Sequence, residues 1–323
     1  MGLVKYAALA EREASPSVYR FVEAVGTYGP VRVVGAQTQW AIGRRADYQC
    51  TDVRELRAPD GVVDVQPSEL IVRVGAGTPV ADLEVALADA GLQCPLDPAS
   101  PMATVGGVLS VGRSGVRRLR HGHLRDTVLE ALYVSADGVL RRAGAPVVKN
   151  VTGFDLPRLL VGSIGTLGLI AEVVLRCGPV PAMRGWWTAN GVDPWSVRRS
   201  TFRPSSILWD GTRIWVQLEG SSAEVQSEVQ SLAGGPWESC EPPAIPSERS
   251  RIDAQLVARL RTEEPTVVFG VSTTGWLVEF GAGVVHGVAL PPPSLLAPVL
   301  DLNRRMKDAF DPAGRLNPGV LPW

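Results

Sequence analysis

The chain has few of the residues that commonly ligate metals. It contains four cysteines and three histidines among 323 residues. The cysteines are Cys50, Cys94, Cys177 and Cys240. Because they lie far apart, no CxxC pair is available for zinc, an iron–sulfur cluster or a thioredoxin-like couple. This cysteine usage favours a reducing, cytoplasmic compartment.

The chain also lacks a dominant charge and a long apolar run. Its 32 basic and 33 acidic residues nearly cancel, which argues against a surface built for duplex DNA or anionic membranes. The N-terminal segment carries Glu11 and Glu13 and does not read as a secretory signal. No run approaches the roughly 20 apolar residues that span a bilayer. The 45% hydrophobic content and a length about twice that of a common domain predict two globular domains.

Apolar spacing and turn residues predict an α+β region over residues 30–178. Short β-branched runs alternate there with Pro and Gly turns, and one predicted helix places Val80, Leu83 and Leu87 on a single stripe. The glycine-rich stretch before residue 116 is predicted to be irregular. An Ala–Asp–Gly turn at 136–138 predicts a hairpin.

Past Cys177 the composition changes, with more proline and tryptophan, and an Asp–Gly turn at 210–211 predicts another hairpin. We therefore expect three parts, namely a first domain at 1–178, a smaller α+β domain at 179–290, and a C-terminal helix and tail at 291–323 that returns to the first domain.

The segment VGAGTPV, residues 74–80, resembles a dinucleotide fingerprint but is incomplete. It follows a predicted strand and precedes a predicted helix, but Val80 stands where the third glycine would be. Thr78 as a helix cap and Pro79 at the first helical position explain the turn. NAD is therefore not the expected cofactor.

Two other glycine-containing loops are better candidates for a phosphate site. They are VVGAQTQWAIG at 33–43 and ATVGGVLSVGRSG at 103–115. Glycine permits close backbone approach, so successive N–H groups can converge on phosphate oxygens without a basic side chain. Neither loop contains a GK[ST] sequence, and each alone is also compatible with an ordinary turn.

Four segments in a fixed order resemble the flavin-binding domain of the vanillyl-alcohol oxidase and p-cresol methylhydroxylase superfamily. The segments are PVRVVGAQTQ at 30–39, PSELIVRVGAGTPVADLEVALADAGL at 67–92, ATVGGVLSVGRSGVRRLRHGHLRD at 103–126 and KNVTGFDLPRLLVGSIGTLGLIAEV at 149–173. A further segment that resembles this family, FDPAGRLNPG, follows near the C-terminal end at 310–319. Within this superfamily the chain resembles the FAD-binding E subunits of bacterial glycolate oxidases.

The resemblance implies an α+β fold in which a PCMH-type domain holds FAD between two subdomains, with a smaller α+β cap domain. The first loop would cradle the pyrophosphate through backbone N–H groups, and the second would line the phosphate–ribityl side. Ile170 would meet the adenine region through its main chain. The implied cofactor-binding residues are Gly35, Ala36, Gln37, Thr38, Gln39, Thr104, Gly106, Gly107, Gly112, Arg113, Ser114, Gly115 and Ile170.

The chain departs from the family pattern at three points. The first loop has Ala36 and Gln37 within the family's usual glycine run, so Gln37, Thr38 and Gln39 can add side-chain donors. It also lacks the histidine that bonds covalently to flavin in some relatives, and we therefore expect non-covalent FAD. Phe154 replaces a tyrosine that is common in the family.

Catalytic residues are not assigned by the sequence. His121 and His123 lack a third ligand at local spacing, so no metal site is predicted. His286 has the titration range of a proton acceptor, but a partner-facing or satisfied strand histidine is the favoured interpretation. The basic residues Arg117, Arg118, Arg120 and Arg125 fit either a carboxylate site, an acidic partner surface, or a solvated face.

Three functional hypotheses follow from the resemblance. The first is an FAD-binding subunit of a 2-hydroxy-acid dehydrogenase complex that also contains a larger FAD-containing catalytic subunit and an iron–sulfur subunit. Such a complex would lie in the cytoplasm and meet a membrane only peripherally, through its partners. The second is a self-sufficient FAD oxidoreductase of an alcohol or hydroxy acid. The third is a structural subunit with weak or no FAD binding.

Overall fold

The computed structural model describes residues 14–43, 52–98, 100–146, 155–271, 275–291 and 296–320. Lys149, Asn150 and Phe154 lie outside these residues, so the expectations placed on them are not addressed by the structure. No helix in the described ranges is long and apolar enough to cross a membrane.

The helices are α1 (Pro16–Val25), α2 (Val80–Asp89), α3 (Val105–Val111), α4 (Arg118–His121), α5 (Leu156–Leu160), α6 (Pro194–Ser200), α7 (Ser222–Ser231), α8 (Ala254–Arg259), α9 (Pro265–Phe269) and α10 (Ala297–Phe310). The strands of the first half are β1 (Val31–Val33), β2 (Arg54–Leu56), β3 (Val62–Gln66), β4 (Ile71–Gly75), β5 (Leu92–Gln93), β6 (Val128–Val134), β7 (Leu140–Gly144) and β8 (Leu169–Arg176). The remaining strands are β9 (Gly178–Pro179), β10 (Met183–Asn190), β11 (Ser206–Trp209), β12 (Arg213–Gly220), β13 (Glu238–Cys240), β14 (Arg249–Arg251), β15 (Leu277–Glu279) and β16 (Val284–His286).

The chain forms two compact units. The first comprises the described residues within 1–115, 123–180 and 295–323, and the second those within 116–122 and 181–294. The expected boundary near residue 178 is close to the point where the chain leaves the first unit. Residues 116–122 belong to the second unit, although the residues before and after them in the sequence belong to the first.

The first unit is built on a five-stranded antiparallel sheet in the order β3-β4-β8-β6-β7. One face packs against α2 and α3 and the other against α1, so the central strand β8 is buried on both faces. This explains why β8 reads as an almost continuous apolar run rather than as an alternating one. The stripe of Val80, Leu83 and Leu87 is buried, as the helical spacing predicts.

Two local expectations are wrong. The glycine-rich segment is not wholly irregular, because α3 forms within it and Thr104 caps that helix by accepting a hydrogen bond from Gly107 N at 3.2 Å. Thr78 does not cap α2. Its hydroxyl donates to Gly75 O at 2.7 Å and accepts from Gly61 N at 2.8 Å, so it stabilises the preceding turn, and Pro79 takes the N-cap position.

The second unit contains a seven-stranded sheet in the order β13-β10-β12-β11-β15-β16-β14, antiparallel at its paired strands. Its apolar face packs against residues of α6, α7, α8 and α9. The predicted hairpin at 210–211 joins β11 and β12. The opposite face carries buried polar groups, including Gln217, Glu219, Glu279 and His286.

The C-terminal segment after α10 completes the first unit. Leu316 pairs in parallel with Val31, and Asn317 N donates to Val31 O at 2.8 Å. Leu316 is fully buried in the same apolar cluster as α1. The N-terminal and C-terminal parts of the chain therefore share one core.

Candidate functional site

A cavity of about 290 Å³ lies in the first unit. Four separate parts of the chain line most of it. They are the loop after β1, the turn that follows β4, the segment from Thr104 to Val111 around α3, and the segment 164–170 leading into β8. Residues 57, 58 and 60 after β2, with Asn317 and Val320 of the C-terminal segment, complete the lining. The cavity is thus assembled from positions far apart in the sequence.

Nine of the thirteen residues predicted to bind a cofactor line this cavity. They are Gly35, Ala36, Gln37, Thr38, Gln39, Thr104, Gly106, Gly107 and Ile170. The described residues 35–39 donate no backbone N–H to another main-chain group of the described chain. The N–H groups of the first loop are therefore not used by the main chain of the described residues.

Residues 112–115 are not among the lining residues. Gly112 ends α3 in the left-handed conformation, and a Cβ there would lie 2.6 Å from Gly162 Cα. Ser114 Oγ accepts a hydrogen bond from Leu124 N at 3.0 Å. A Cβ at Gly115 would lie 2.0 Å from the Asp97 Cβ. These contacts give this stretch a packing role beside the cavity.

Backbone strain is concentrated at the cavity. Five described non-glycine residues have positive φ, and three of them, Gln37 (59°), Ile164 (51°) and Asn317 (45°), line it. The conformation is especially costly for the β-branched Ile164. Such strain persists only where surrounding structure enforces it and is typical of binding and catalytic sites.

Two buried acceptors at the cavity lack a hydrogen-bond donor within the described chain. They are Gln39 Oε1 and Asn317 Oδ1. Asn317 donates its Nδ2 to Ile164 O at 2.5 Å, which leaves its oxygen as the acceptor. A buried polar atom without a partner costs about 1–3 kcal/mol, so a ligand with hydroxyl or N–H donors would stabilise this site.

Close packing of glycines shapes the floor of the cavity. A Cβ at Gly35 would lie 2.6 Å from Thr104 Oγ1, and one at Gly106 would lie 2.8 Å from the Ala76 Cβ. At Gly106 the neighbours include the Ala76 backbone oxygen at 2.9 Å, which cannot rotate away. Glycine at these positions therefore allows the first loop and α3 to pack this closely against their neighbours.

Several lining residues were missed by sequence reasoning. Arg57 and Asp60 are the charged side chains among the described lining residues, and Arg57 donates to Gly35 O at 3.2 Å. No motif surrounds them, so only the packing of β2 and its following turn reveals them. Asn317, by contrast, lies in the segment 310–319 that resembles the flavin-binding family, and this resemblance was a signal by which the residue could be found.

A charged network occupies the polar face of the sheet in the second unit. Glu219 on β12 is 1% exposed and forms ion pairs with Arg184 (2.8 Å), Arg120 (3.4 Å), Arg117 (3.8 Å) and His121. Burial alone would raise the pKa of Glu219, but the hydrogen bonds and charges of His121 and Arg184 lower it to about 2. Arg117 and Arg120 therefore contribute to an internal ion-pair network.

His286 is satisfied within the second unit. Its Nε2 lies 2.6 Å from Glu279 Oε1 and its Nδ1 lies 3.1 Å from Pro246 O. Both ring nitrogens are thus engaged, which favours the interpretation of a structural strand histidine. Among the described residues, no group of three or more His, Cys, Asp or Glu side chains could hold a metal ion.

The class of protein follows from a family comparison. Residues 9–144 match the model of the FAD binding domain family. This match supports the predicted FAD-dependent oxidoreductase and confirms the α+β fold and FAD as cofactor.

The chain is similar over nearly its whole length to glycolate oxidase subunit GlcE of Escherichia coli. The two are 28% identical over 340 aligned positions, which cover 93% of this chain and 94% of that protein. Glycolate oxidase subunit GlcD of Bacillus subtilis is 36% identical over 121 residues, and D-lactate dehydrogenase of Archaeoglobus fulgidus is 37% identical over 117. These two matches each cover 26% of the relative's length, so the chain matches about a quarter of each.

A solved structure of alkyldihydroxyacetonephosphate synthase has the same fold. Its TM-score is 0.69 at 16% sequence identity, over 95% of this chain and 75% of that chain. The fold extends over both units of the described chain.

Proposed function

We propose that the cavity of the first unit is the FAD site. The loop 35–39 would hold the pyrophosphate with its backbone N–H groups, and Thr104, Gly106 and Gly107 would lie against the phosphate–ribityl part. Charge-assisted hydrogen bonds from N–H groups to phosphate are about twice as strong as neutral ones, so no lysine is needed. FAD, when bound, accepts a hydride or electrons at its isoalloxazine ring.

The observation that carries this assignment is the pair of acceptors without donors at the cavity, Gln39 Oε1 and Asn317 Oδ1. FAD has hydroxyl and N–H donors along its length, and each could satisfy such an acceptor. The surrounding structure holds Gln37, Ile164 and Asn317 at positive φ. This preorganisation lowers the entropic cost of binding.

The test is FAD retention in a Gly107→Asp variant. Gly107 lies in the first turn of α3, is exposed at the cavity, and a Cβ there would meet only Thr104 Oγ1, at 3.0 Å. The variant should fold, because a carboxylate is well tolerated near a helix N-terminus. Its charge would repel the FAD phosphates, and we expect the affinity for FAD to fall at least about tenfold, since one charge repulsion of about 1.4 kcal/mol corresponds to that factor.

Gly178→Asp is the matched control for this charge, because a Cβ at Gly178 meets nothing within 4 Å and the residue does not line the cavity. Flavin is measured by absorption of the purified proteins, and folding by circular dichroism. A folded Gly107→Asp protein that stays as yellow as wild type would place FAD elsewhere.

At the level of the complex, we propose a glycolate oxidase-like 2-hydroxy-acid dehydrogenase in which this chain is the FAD-binding E subunit. The similarity to glycolate oxidase subunit GlcE over 94% of that protein supports this proposal. The larger FAD-containing subunit and an iron–sulfur subunit would supply substrate oxidation and onward electron transfer. We place the complex in the cytoplasm, with any membrane contact made through its partners.

Anaerobic titration with glycolate and D-lactate distinguishes this complex from a self-sufficient enzyme. The isolated yellow chain should not be bleached, whereas the chain copurified with its partner subunits should be. Bleaching of the isolated chain would favour the self-sufficient oxidoreductase. A colourless chain that ignores added FAD would favour the structural subunit.

The self-sufficient enzyme is kept as a second candidate because of the polar sheet face in the second unit. Ser206 Oγ and Gln217 Oε1 are buried there without a partner in the described chain, and Ser206 is the cross-strand neighbour of Gln217. The three arginines around Glu219 are on the same side of β12 as Gln217. Such a surface could bind a carboxylate substrate.

A further inference from the structure

Two cysteines that are distant in sequence are brought together in the first unit. The strands β5 and β9 pair antiparallel, with Leu92 opposite Pro179 and Gln93 opposite Gly178. Continuing this register by one residue places Cys94 opposite Cys177. Both belong to the same buried core cluster, with exposures of 3% and 7%.

The backbone hydrogen bonds fit a non-hydrogen-bonded pair at this position. Val180 N donates to Gly91 O at 2.9 Å, so the pair of residues 91 and 180 is hydrogen-bonded. Because hydrogen-bonded and non-hydrogen-bonded pairs alternate along an antiparallel ladder, the pair of Cys94 and Cys177, three residues further along, is of the non-hydrogen-bonded type. Cys177 N donates instead to Leu70 O at 2.7 Å, and Cys94 O accepts from Leu96 N at 2.9 Å. In such a pair the Cα atoms lie about 4.5 Å apart, within the range of about 4.4–6.8 Å that a disulfide requires.

The two thiols also point toward one stretch of main chain. Cys94 Sγ donates to Arg176 O at 3.6 Å, and Cys177 Sγ donates to Leu175 O at 3.9 Å. These acceptors are adjacent carbonyls at the end of β8. Both cysteines are thiols in the structure.

We propose that Cys94 and Cys177 are a site of reversible disulfide formation. A two-electron thiol oxidant would take two electrons and two protons from the thiols as the Sγ–Sγ bond forms, and a dithiol would reverse the reaction. With diamide as oxidant, the two hydrogens end on the nitrogens of its N=N bond. The bond fastens β5 to β9, just before the chain leaves the first unit at residue 180.

The site also adjoins the proposed cofactor region. Asp97, three residues after Cys94, packs against Gly115, which follows α3. A covalent bond at Cys94 would therefore restrain the start of the segment 94–97, which makes the contact with Gly115. The disulfide itself does not depend on the proposed function and can be tested without flavin.

The experiment treats the purified full-length chain with diamide and maps its peptides without reduction. Trypsin should release residues 74–113, containing Cys94, linked to residues 177–184, containing Cys177. The linked pair should weigh two hydrogens less than the sum of the peptides and separate on adding dithiothreitol. A Cys50→Ser, Cys240→Ser double variant keeps only these two cysteines and should lose both titratable thiols.

The melting temperature distinguishes a native bond from an adventitious one. Closing a long loop in a bond compatible with the fold should raise the melting temperature by several degrees, and dithiothreitol should abolish the rise. Cys94→Ser should show neither the link nor the shift. Two thiols that persist after oxidation, a link to another cysteine, or a link that lowers the melting temperature would each overturn the proposal.

Discussion

At the scale of single residues, glycines in this chain mark places where two backbones touch. The VGAG segment illustrates this. A Cβ at Gly77 would lie 2.3 Å from Ala58 O, and one at Gly75 would lie 2.5 Å from Pro59 O. Gly77 N also donates to Pro59 O at 2.7 Å. The glycines that resemble a nucleotide fingerprint are therefore explained by the main chain packed against them, although Gly77 also lines the cavity.

Gly77→Ala should lower the free energy of unfolding by about 2–3 kcal/mol, because the added methyl group overlaps a carbonyl oxygen that cannot rotate away. Gly178→Ala adds the same group where nothing lies within 4 Å and should change stability by less than about 0.5 kcal/mol. Chemical denaturation followed by circular dichroism measures both. Equal stability of the two variants would contradict the close contact at residue 77.

At the scale of secondary-structure elements, the polar face of the second sheet depends on pairing between β12, β10 and α4. Glu219 lies opposite Arg184 across β10 and β12. Residues 116–122 bring Arg117, Arg120 and His121 to the same carboxylate. Removing one member of a buried charge network costs much more than removing an exposed pair, because the remaining charges stay buried.

Glu219→Gln should destabilise the second unit by about 3 kcal/mol at pH 7, the equivalent of a pKa lowered from 4.5 to about 2. Because the folded-state pKa lies below the unfolded value, the wild-type advantage is full above about pH 4.5. It is lost as the pH falls through about 2, where the folded protein also binds the proton.

Urea denaturation at several pH values, followed by tryptophan fluorescence, measures this effect. Seven of the nine tryptophans lie in the second unit, so the signal mainly reports its unfolding. Glu263→Gln removes an exposed carboxylate paired with Arg259 and serves as the control, for which little change is expected. A wild-type advantage that does not shrink at low pH would rule out the charge of Glu219 as its source.

At the scale of the whole molecule, the C-terminal return is bound to the N-terminal part of the first unit through Arg315. Its guanidinium donates to five carbonyl oxygens, at Gly26, Gly29, Ala136, Val25 and Tyr28. The side chain is buried, and burial lowers its pKa below the ordinary arginine value. Arg315 therefore links α1, the β6–β7 turn and the segment that places Asn317 at the cavity.

Arg315→Met should destabilise the first unit by about 3–5 kcal/mol, because the carbonyl oxygens lose a charged donor in a buried site. Arg305→Met removes an exposed arginine of α10 that pairs with Asp301, and should cost less than about 0.5 kcal/mol. Thermal unfolding by circular dichroism compares the two, and flavin release reports on the first unit. An Arg315→Met protein as stable as Arg305→Met would show that the return does not depend on this residue.

Sequence patterns predicted the elements whose signals are local. The helix stripe of Val80, Leu83 and Leu87 and the hairpin turns at 136–138 and 210–211 are present, because periodicity and turn chemistry act over a few residues. The helix α3 was missed because its glycines have low helix propensity, which the Thr104 cap and burial against the sheet outweigh.

By itself, the sequence determined the α+β class and FAD as the cofactor, because these depend on local pattern and motif order, and it predicted two loops for phosphate binding. The tertiary structure alone decided that nine of the predicted residues share a cavity with Arg57 and Asn317, and that residues 112–115 pack beside it. It also decided that β5 pairs with β9, beside Cys94 and Cys177, and that Glu219 meets three arginines. The physical reason is that strand register and core packing set contacts between distant residues, and neither is encoded in any one short segment.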